Sequence, residues 1–476
     1  MICVAHPPGY SPEREYVVDV VFREFLGIEY RTQETAARAV ELTLDGDTAH
    51  RTLILPDILF SSSPFDWLTE RSCPRLPLER MLCQTGWNGN CPRFTELPVL
   101  FGDRSARLRH GSSDGETADL PIDVFGSAFF LLTRYEELVS PERDEFGRFP
   151  ARCSILYRAG AARLPLVDGY VEILWIAMQN LWPQLRRKPG TFSVHITHDI
   201  DHPIWSLNKN AAAVLKTSSR DIAVRRSWQL ALQRWKSFRR AARGDYGADP
   251  YNTFDFLMDQ SELIGVKSAF FFKGGHTSLD HDAEYSLNTP WARALIRNIA
   301  ERGHDVGIHP SFETYGDAEA IAREFLTVRR ACEAAGIRQS AWGGRQHYLR
   351  WSNPVTWQCW EDAGLQFDST LGYPEVIGFR CGTSHEYPCY NLVSRSRLKL
   401  RERPLIVMDT TLHSYMRLGR RDLIDATVEL AGTCKRFGGD FTLLWHNSNL
   451  LTGPGKDTYR RIIRGLGREL GGIVLS

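Results

Sequence analysis

The fold of this chain is decided by Phe192-Ser193-Val194-His195-Ile196-Thr197-His198-Asp199-Ile200-Asp201-His202-Pro203. The first five residues alternate between apolar and polar and predict a short buried strand. Asp199 and Asp201 follow that strand, and side chains two apart on a strand point to the same side. Two like charges on one side repel unless a cation or a shared proton relieves them. Alone, the segment fits a cation site or a solvated strand end with an Asp-capped turn before Pro203.

Length and composition indicate a globular protein with more than one domain. The chain has 476 residues, 43% of them hydrophobic and 24% charged, and its length exceeds one ordinary domain. The net charge of +1 gives no reason to expect a nucleic-acid partner. The ten cysteines form no CxxC pair, so we interpret them as free thiols. We find neither a signal-peptide pattern nor an apolar run of about 18 residues, and we expect a cytoplasmic protein.

Residues 1–188 predict a smaller α/β domain of unknown role, ended by the breaker Lys188-Pro189-Gly190. Residues 123–138 predict one helix with Asp123 as its N-cap. A solvated helix face accounts for the three charged residues at its end, which are Arg134, Glu136 and Glu137.

A basic segment follows the first motif, within a predicted helical insertion at about residues 205–248. Residues 209–243 contain ten cations against one acid, Asp221, and Trp228, Leu232 and Trp235 fall on one helical face. The pattern is typical of an amphipathic helix in peripheral contact with a membrane, or of a cover over an anionic substrate. The alternative is an insertion that packs its tryptophans on the barrel and leaves a solvated basic face.

From residue 249 the chain alternates helix and strand, which predicts a parallel sheet or barrel with its site at the carboxyl ends of the strands. Polar residues follow the predicted strands in succession: His309, Arg345, Asp368, Asp409 and His446. Such a series indicates a functional site rather than a set of unrelated strand ends.

The order of these motifs resembles the polysaccharide deacetylase superfamily (NodB-homology, carbohydrate esterase family 4) over about residues 190–476. Within it, the chain resembles an uncharacterised bacterial subgroup with an extra N-terminal domain. The segments that carry the resemblance are Asp199-Ile200-Asp201, Gly303-His304-Asp305-Val306-Gly307, Arg345 and Leu443-Leu444-Trp445-His446. The resemblance implies an α/β fold, with a distorted (β/α) barrel in residues 189–476 preceded by the smaller α/β domain.

The resemblance also implies a divalent metal ion. Asp201 and His309 would be ligands, and Glu313 stands where the family has its second histidine and would be a third ligand. Zinc is the first choice of ion, with cobalt, manganese, nickel and iron as alternatives.

Catalytic roles follow from the same comparison of motifs. Asp199 would be the base, with Arg345 orienting it, and His446 would be the acid, held in orientation by Asp409. Four further residues are candidate substrate contacts: His347, Tyr348, Arg350 and Asp368.

These roles predict a metal-dependent hydrolase that removes an N-acetyl group from an amino sugar in bacterial surface-polysaccharide metabolism. The acetylated substrate would be nucleotide-linked or lipid-linked. Two alternatives stay open: an inactive saccharide-binding or scaffolding module, and an amidohydrolase acting on a non-sugar amide.

Overall fold

A computed structural model describes residues 1–82, 96–102, 109–110 and 117–471 of the chain. The strands of the first part are β1 (Ile2–His6), β2 (Tyr30–Glu34), β3 (Ala39–Leu44), β4 (Thr52–Pro56), β5 (Glu79–Leu82), β6 (Glu96–Val99), β7 (Arg109–His110) and β8 (Thr117–Asp119). The helices of this part are α1 (Ser11–Asp19), α2 (Val124–Leu132), α3 (Tyr135–Val139), α4 (Ile155–Arg158) and α5 (Leu166–Leu181). Six strands form one sheet in the order β2-β1-β3-β4-β8-β7, and β5 and β6 pair as a separate hairpin.

The second part alternates strands and helices, as the sequence predicts. Its strands are β9 (Ser193–Ile200), β10 (Ser268–Phe272), β11 (Asp305–Ile308), β12 (Gly343–Gly344), β13 (Phe367–Asp368), β14 (Tyr387–Asn391), β15 (Ser396–Glu402), β16 (Val407–Met408) and β17 (Asp440–Leu444). Its helices are α6 (Ala211–Ala223), α7 (Trp228–Ala241), α8 (Phe254–Glu262), α9 (Pro290–Glu301), α10 (Ala318–Ala334), α11 (Val355–Asp362), α12 (Arg420–Phe437) and α13 (Gly453–Glu469).

The nine strands of this part form one sheet in the order β14-β15-β13-β12-β11-β10-β9-β17-β16. Every neighbouring pair is parallel except β14 with β15. Among the described residues the edge strands β14 and β16 do not pair with each other. The structure is therefore a large, mostly parallel sheet with helices between its strands, and the closed ring of a barrel is not formed by strand pairing.

Close backbone approach explains the glycines of β12. A Cβ atom added to Gly344 would lie 1.7 Å from the carbonyl oxygen of Ile308 in the neighbouring strand. Only glycine permits this approach. The close packing of β12 places the next residue, Arg345, at the carboxyl end of this strand, between β11 and β13.

The two parts share one continuous hydrophobic core, which contains buried side chains from Ile2 to Leu466. Hydrogen bonds also join them: the Tyr16 hydroxyl donates to the carbonyl of Pro388 at 2.7 Å, and the Tyr387 hydroxyl donates to the carbonyl of Leu132 at 2.9 Å. The division at residue 188 stays a prediction.

The predicted single helix over residues 123–138 is interrupted at Arg134, whose φ of 54° ends α2 before α3 begins. The interpretation of its charged end as a solvated face is wrong, because Arg134, Glu136 and Glu137 are all buried. The Arg134 guanidinium donates to both carboxylates, and Glu137 also accepts two hydrogen bonds from Arg380 of the second part. These charges therefore join the two parts of the chain.

The eight cysteines among the described residues are free thiols, and Cys83 and Cys91 lie outside those residues. In the described part of the chain, no helix has both the length and the apolar composition that a membrane crossing requires.

Candidate metal and catalytic site

The candidate site lies at the carboxyl ends of neighbouring strands of the nine-stranded sheet. Asp201, His309 and Arg345 directly follow β9, β11 and β12, and Asp409 directly follows β16. His446 comes two residues after β17, which pairs with both β9 and β16. Because these strands are parallel, their carboxyl ends meet at one edge, where the side chains gather.

Three side chains at this edge form a potential metal site. One ligand atom each from Asp201, His309 and His347 lie within 4.8 Å of one another. Nε2 of His309 is 3.0 Å from Oδ1 of Asp201, and Nε2 of His347 is 3.1 Å from the same oxygen. Both histidines are buried, whereas the Asp201 side chain is 23% exposed. The cluster is thus open to solvent on the side of Asp201.

The hydrogen bonds of the two imidazoles fit a bound cation. Nδ1 of His309 donates to the carbonyl oxygen of Arg345 at 2.6 Å, and Nδ1 of His347 donates to the carboxylate of Asp282 at 2.8 Å. A neutral imidazole that donates from Nδ1 presents a lone pair at Nε2. Both lone pairs would then face the Asp201 carboxylate, which is unfavourable unless a cation or an added proton lies between them. Carboxylate-supported histidine is also a usual arrangement around bound metals.

The charges of the cluster stabilise one another. Burial opposes the charge on Asp201, but the attraction of His347 and the hydrogen bond with His309 hold the pKa of Asp201 well below its usual range. Burial also lowers the pKa of His347, but Asp201 and Asp282 together raise it above its usual value.

Glu313, predicted as a metal ligand, does not lie in the cluster in this structure. Glu313 lies in a short 3₁₀ turn, Phe312–Gly316, after Pro310, so the spacing of four from His309 does not return its side chain to the same face. Its carboxylate is 55% exposed and pairs with Arg350 at 2.9 Å. His347, predicted as a substrate contact, takes the third place in the cluster.

Asp199 and Arg345 form a buried ion pair beside the cluster. An Arg345 guanidinium nitrogen donates to Oδ1 of Asp199 at 2.8 Å and to the hydroxyl of Thr197 at 3.0 Å. The other guanidinium nitrogens donate to the carbonyl and the hydroxyl of Ser369. Each of the three guanidinium nitrogens therefore donates at least one hydrogen bond, and these bonds hold Arg345 in place against Asp199.

His446 and Asp409 form a second pair on the other side of Asp201. Nδ1 of His446 donates to Oδ1 of Asp409 at 2.7 Å, and Nε2 lies 3.5 Å from Oδ2 of Asp201. Burial alone would lower the pKa of His446, but Asp409, with smaller contributions from Asp201 and Asp199, raises it to about 10. Asp409 also accepts from the backbone N–H of His446 and from Asn449. The Nε2 atom of His446 faces the cluster, and the raised pKa favours the protonated ring.

The other predicted substrate contacts lie in different surroundings. Tyr348 is half-buried next to His347, with a ring-centroid distance of 4.8 Å, and its φ of 61° is a strained value for a tyrosine. Arg350 is packed between the rings of Phe312 and Tyr315. Asp368 is fully buried and accepts from the backbone N–H and the hydroxyl of Thr370, so it is not placed to touch a substrate.

Sequence reasoning missed Asp282 and Lys273. Asp282 accepts from His347 and from the backbone N–H groups of the loops around it, and the buried ammonium of Lys273 lies 3.7 Å from it. Lys273 directly follows β10, so the rule that polar residues after parallel strands line a site could have found this loop.

The first part of the chain also reaches the site through the turn at Phe146. The Phe146 ring lies 5.1 Å from the ring of Tyr348, and Arg148 donates to the carbonyl oxygen of Tyr348 at 3.1 Å. Arg148 also donates to the hydroxyl of Tyr415 at 3.3 Å. Nothing in the sequence of this turn indicated the contact, because it depends on how the two parts pack.

Comparisons with known proteins give one family match and several distant structural neighbours. Residues 2–183 match a family described as a family of unknown function (DUF7033). No curated protein matches the chain. A protein from Mycobacterium smegmatis assigned as a polysaccharide deacetylase is 18% identical over 59% of this chain and 85% of that one, with a TM-score of 0.37. A protein from Pseudomonas aeruginosa PAO1 with the same assignment is 13% identical over 58% and 83%, with a TM-score of 0.34. A polysaccharide deacetylase from Bacillus cereus is 12% identical over 58% and 87%, with a TM-score of 0.25.

Proposed function

We propose that the chain is a metal-dependent hydrolase that removes an N-acetyl group from an amino sugar. The observation that carries the proposal is the arrangement around Asp201, with a potential metal site between two ion pairs. On one side stands Asp199 with Arg345, and on the other His446 with Asp409. Amide hydrolysis requires one group that accepts a proton from water and another that donates a proton to the departing nitrogen. A carboxylate fixed by an arginine can be the first group, and a protonated histidine fixed by a carboxylate can be the second.

Asp201, His309 and His347 would hold the metal ion. Two imidazole nitrogens and one carboxylate oxygen suit zinc, and they also suit cobalt, manganese, nickel and iron. When bound there, a divalent ion would polarise the amide carbonyl and lower the pKa of a water molecule.

The chain's own residues perform the proton transfers. Asp199 accepts the proton that the attacking water loses as its oxygen bonds to the carbonyl carbon. When the carbon–nitrogen bond breaks, Nε2–H of His446 donates a proton to the departing nitrogen, which leaves as a free amine beside acetate. Asp409 keeps Nε2 of His446 directed at this point through its hydrogen bond to Nδ1.

The substrate class is inferred from the motifs and the lining of the site. The resemblance to polysaccharide deacetylases supports an acetylated amino sugar, nucleotide-linked or lipid-linked, in bacterial surface-polysaccharide metabolism. Tyr348, Phe146 and His281 supply aromatic faces near the cluster, and ligand pockets are commonly lined by aromatic side chains.

The inactive-module alternative rests on the replacement of a family histidine by Glu313. The position of His347, whose Nε2 lies 3.1 Å from Oδ1 of Asp201, supports the active enzyme instead. An amidohydrolase for a non-sugar amide would use the same residues, so only substrates separate it from a sugar deacetylase.

The experiment is an acetate-release assay of the full chain loaded in turn with zinc, cobalt, manganese, nickel and iron(II). The panel contains nucleotide-linked, lipid-linked and oligomeric N-acetylamino sugars together with N-acetylamino acids. We expect release from an acetylated sugar, its loss in His309→Ala and its retention in Glu313→Ala. Release from N-acetylamino acids alone would favour the amidohydrolase, and no release by the fully metal-loaded protein would contradict the proposal.

A further inference from the structure

The helices α6 and α7, which lie between Asp201 and α8 in the chain, form a helical hairpin whose outer surface is both apolar and basic. The inner face of α6 buries Val214, Ser218 and Asp221, and that of α7 buries Leu230 and Arg234. The two helices therefore pack on each other and leave the opposite face to solvent.

Large apolar side chains are concentrated on the exposed face. Five of the fourteen exposed large hydrophobic side chains among the described residues fall between 215 and 232. They are Leu215 (61% exposed), Ile222 (55%), Val224 (69%), Trp228 (62%) and Leu232 (59%). Ile222, Val224 and Trp228 flank the turn between the helices, so the apolar surface is centred on the tip of the hairpin. The prediction that the insertion packs its tryptophans inward is wrong for Trp228.

Exposed cations surround these apolar side chains. The buried Arg234 pairs with Asp221, the only acid of residues 209–243, and so serves the hairpin itself. Arg225 also pairs with Asp221, and Arg240 pairs with Asp245. The remaining seven cations make no ion pair with any described residue: Lys209, Lys216, Arg220, Arg226, Lys236, Arg239 and Arg243.

The hairpin is fixed to the rest of the chain near the site. The Asp249 carboxylate accepts from the backbone N–H groups of Trp205 and Ser206 and from the hydroxyl of Ser237 in α7. Trp205 in turn lies under the Arg234 guanidinium at 4.4 Å. A cleft of about 540 Å³ extends from Lys209 at the base of the hairpin to Asp282 beside the metal cluster.

We propose that the hairpin of α6 and α7 docks on an anionic lipid membrane, with the apolar tip in the interface and the free cations against the lipid headgroups. Apolar insertion or a basic patch alone gives weak attachment, and the two together give stable but reversible attachment. A membrane fits both features because it offers an apolar interior beneath a negative surface. Because the hairpin begins at Ala211 and is tied through Asp249 to Trp205 and Ser206, which follow Asp201, docking would hold the site near the membrane surface.

The test is co-sedimentation of the full chain with vesicles of phosphatidylcholine alone, or with 30% phosphatidylglycerol, at physiological salt. We expect binding to the anionic vesicles and little binding to the neutral ones. Val224→Ser with Trp228→Ser removes apolar area from the tip, and Lys216→Glu with Lys236→Glu reverses two exposed charges. We expect the charge variant to weaken binding at least about tenfold, since each cation near the surface contributes about fivefold. We expect a loss of at least about tenfold for the tip variant too, since binding also scales with the apolar area buried in the interface.

Matched controls change similar residues elsewhere on the surface. Phe65→Ser with Val393→Ser removes exposed apolar side chains, and Arg421→Glu with Arg461→Glu reverses exposed charges on α12 and α13. Both controls should bind as the wild type does. Unchanged binding by the hairpin variants, equal binding to neutral vesicles, or no binding at all would overturn the proposal. So would a dimer in sedimentation velocity that the tip variant dissociates, because the surface would then bind a second copy of the chain.

Discussion

The Nε2 atom of His347 lies 3.1 Å from Oδ1 of Asp201, the same oxygen that faces Nε2 of His309. One carboxylate oxygen thus joins imidazoles from the ends of two different strands. The potential ligand set comes from the ends of neighbouring strands and not from a single turn of chain. For this reason His347, and not Glu313, is the third potential ligand.

We expect His347→Ala to weaken zinc binding as severely as His309→Ala, by at least about a hundredfold, because changes to residues that only support a metal ligand already cost about 10–100-fold. Glu313→Ala should bind zinc as the wild type does, because its carboxylate pairs with Arg350 at the surface. Competition against a zinc-binding dye measures all three affinities. Loss of zinc in Glu313→Ala, with retention in His347→Ala, would reverse the assignment.

The hydrogen bond from His347 to Asp282 predicts a weaker effect on the same site. Asp282→Asn keeps the size of the side chain but removes the charge that supports the imidazole, and we expect about 10–100-fold weaker zinc binding. Asp280→Asn makes the same change two residues away on an exposed side chain and should have no effect. Equal zinc affinity in the two variants would contradict a supporting role for Asp282.

Proton transfer at the site should depend on Asp199 and His446, neither of which is a member of the metal cluster. We expect Asp199→Ala and His446→Ala to reduce turnover of the acetylated substrate by roughly 10²–10⁴-fold, the usual contribution of an acid or base. Zinc content should stay near that of the wild type, whereas the melting temperature should fall, because each change leaves a buried charge, on Arg345 or on Asp409, without its partner. A variant that is folded at the assay temperature and turns over at nearly the wild-type rate would remove that residue from the mechanism.

The turn at Phe146 should act on substrate binding through Tyr348. Phe146→Ala removes an aromatic contact at 5.1 Å, and contacts of this kind contribute about 0.5–1.5 kcal/mol, or roughly 2–10-fold. We therefore expect KM to rise by about this factor while kcat changes little, since Phe146 makes no contact with the cluster. Phe65→Ala, at a fully exposed ring, is the control. A fall in kcat at constant KM would assign the turn a different role.

Much of the sheet could be predicted because parallel strands leave a simple pattern. Buried apolar runs alternate with helices, and the polar residues after those runs, such as Asp201, His309 and His446, meet at one edge for topological reasons. The sequence therefore predicted that these residues come together, and the structure places them at one edge of the sheet.

Contacts that depend on local turns or on packing between the two parts could not be predicted. His347 reaches Asp201 through a turn with positive φ at Tyr348, and Glu313 turns away because the chain after Pro310 is 3₁₀ and not α-helical. The burial of Arg134 could not be predicted for a similar reason, because its guanidinium donates to the carbonyl oxygen of Arg380, which is far along the chain. No periodicity in the sequence encodes such long-range partners.

A buried acid pair in the sheet predicts a pH dependence of stability. Asp368 and Glu402 are paired in register on β13 and β15, and both are fully buried. Burial raises the pKa of Asp368 to about 7 and that of Glu402 well above its usual value. In the unfolded chain both acids lose their protons near pH 4. The folded state therefore binds more protons between about pH 4 and 7, and unfolding becomes easier as the pH rises through this window.

We expect Asp368→Asn to reduce this slope, because asparagine retains an oxygen for the backbone N–H of Thr370 and cannot ionise. The measurement is the free energy of unfolding in urea at pH 5, 6, 7 and 8 for the wild type and the variant. Relative to the wild type, the variant should become progressively more stable toward pH 8. Asp362→Asn, a change of the same kind at an exposed position on α11, should follow the wild-type curve. If both variants follow it, Asp368 does not hold its proton in the folded state at neutral pH, and the pair is stabilised as a charged group.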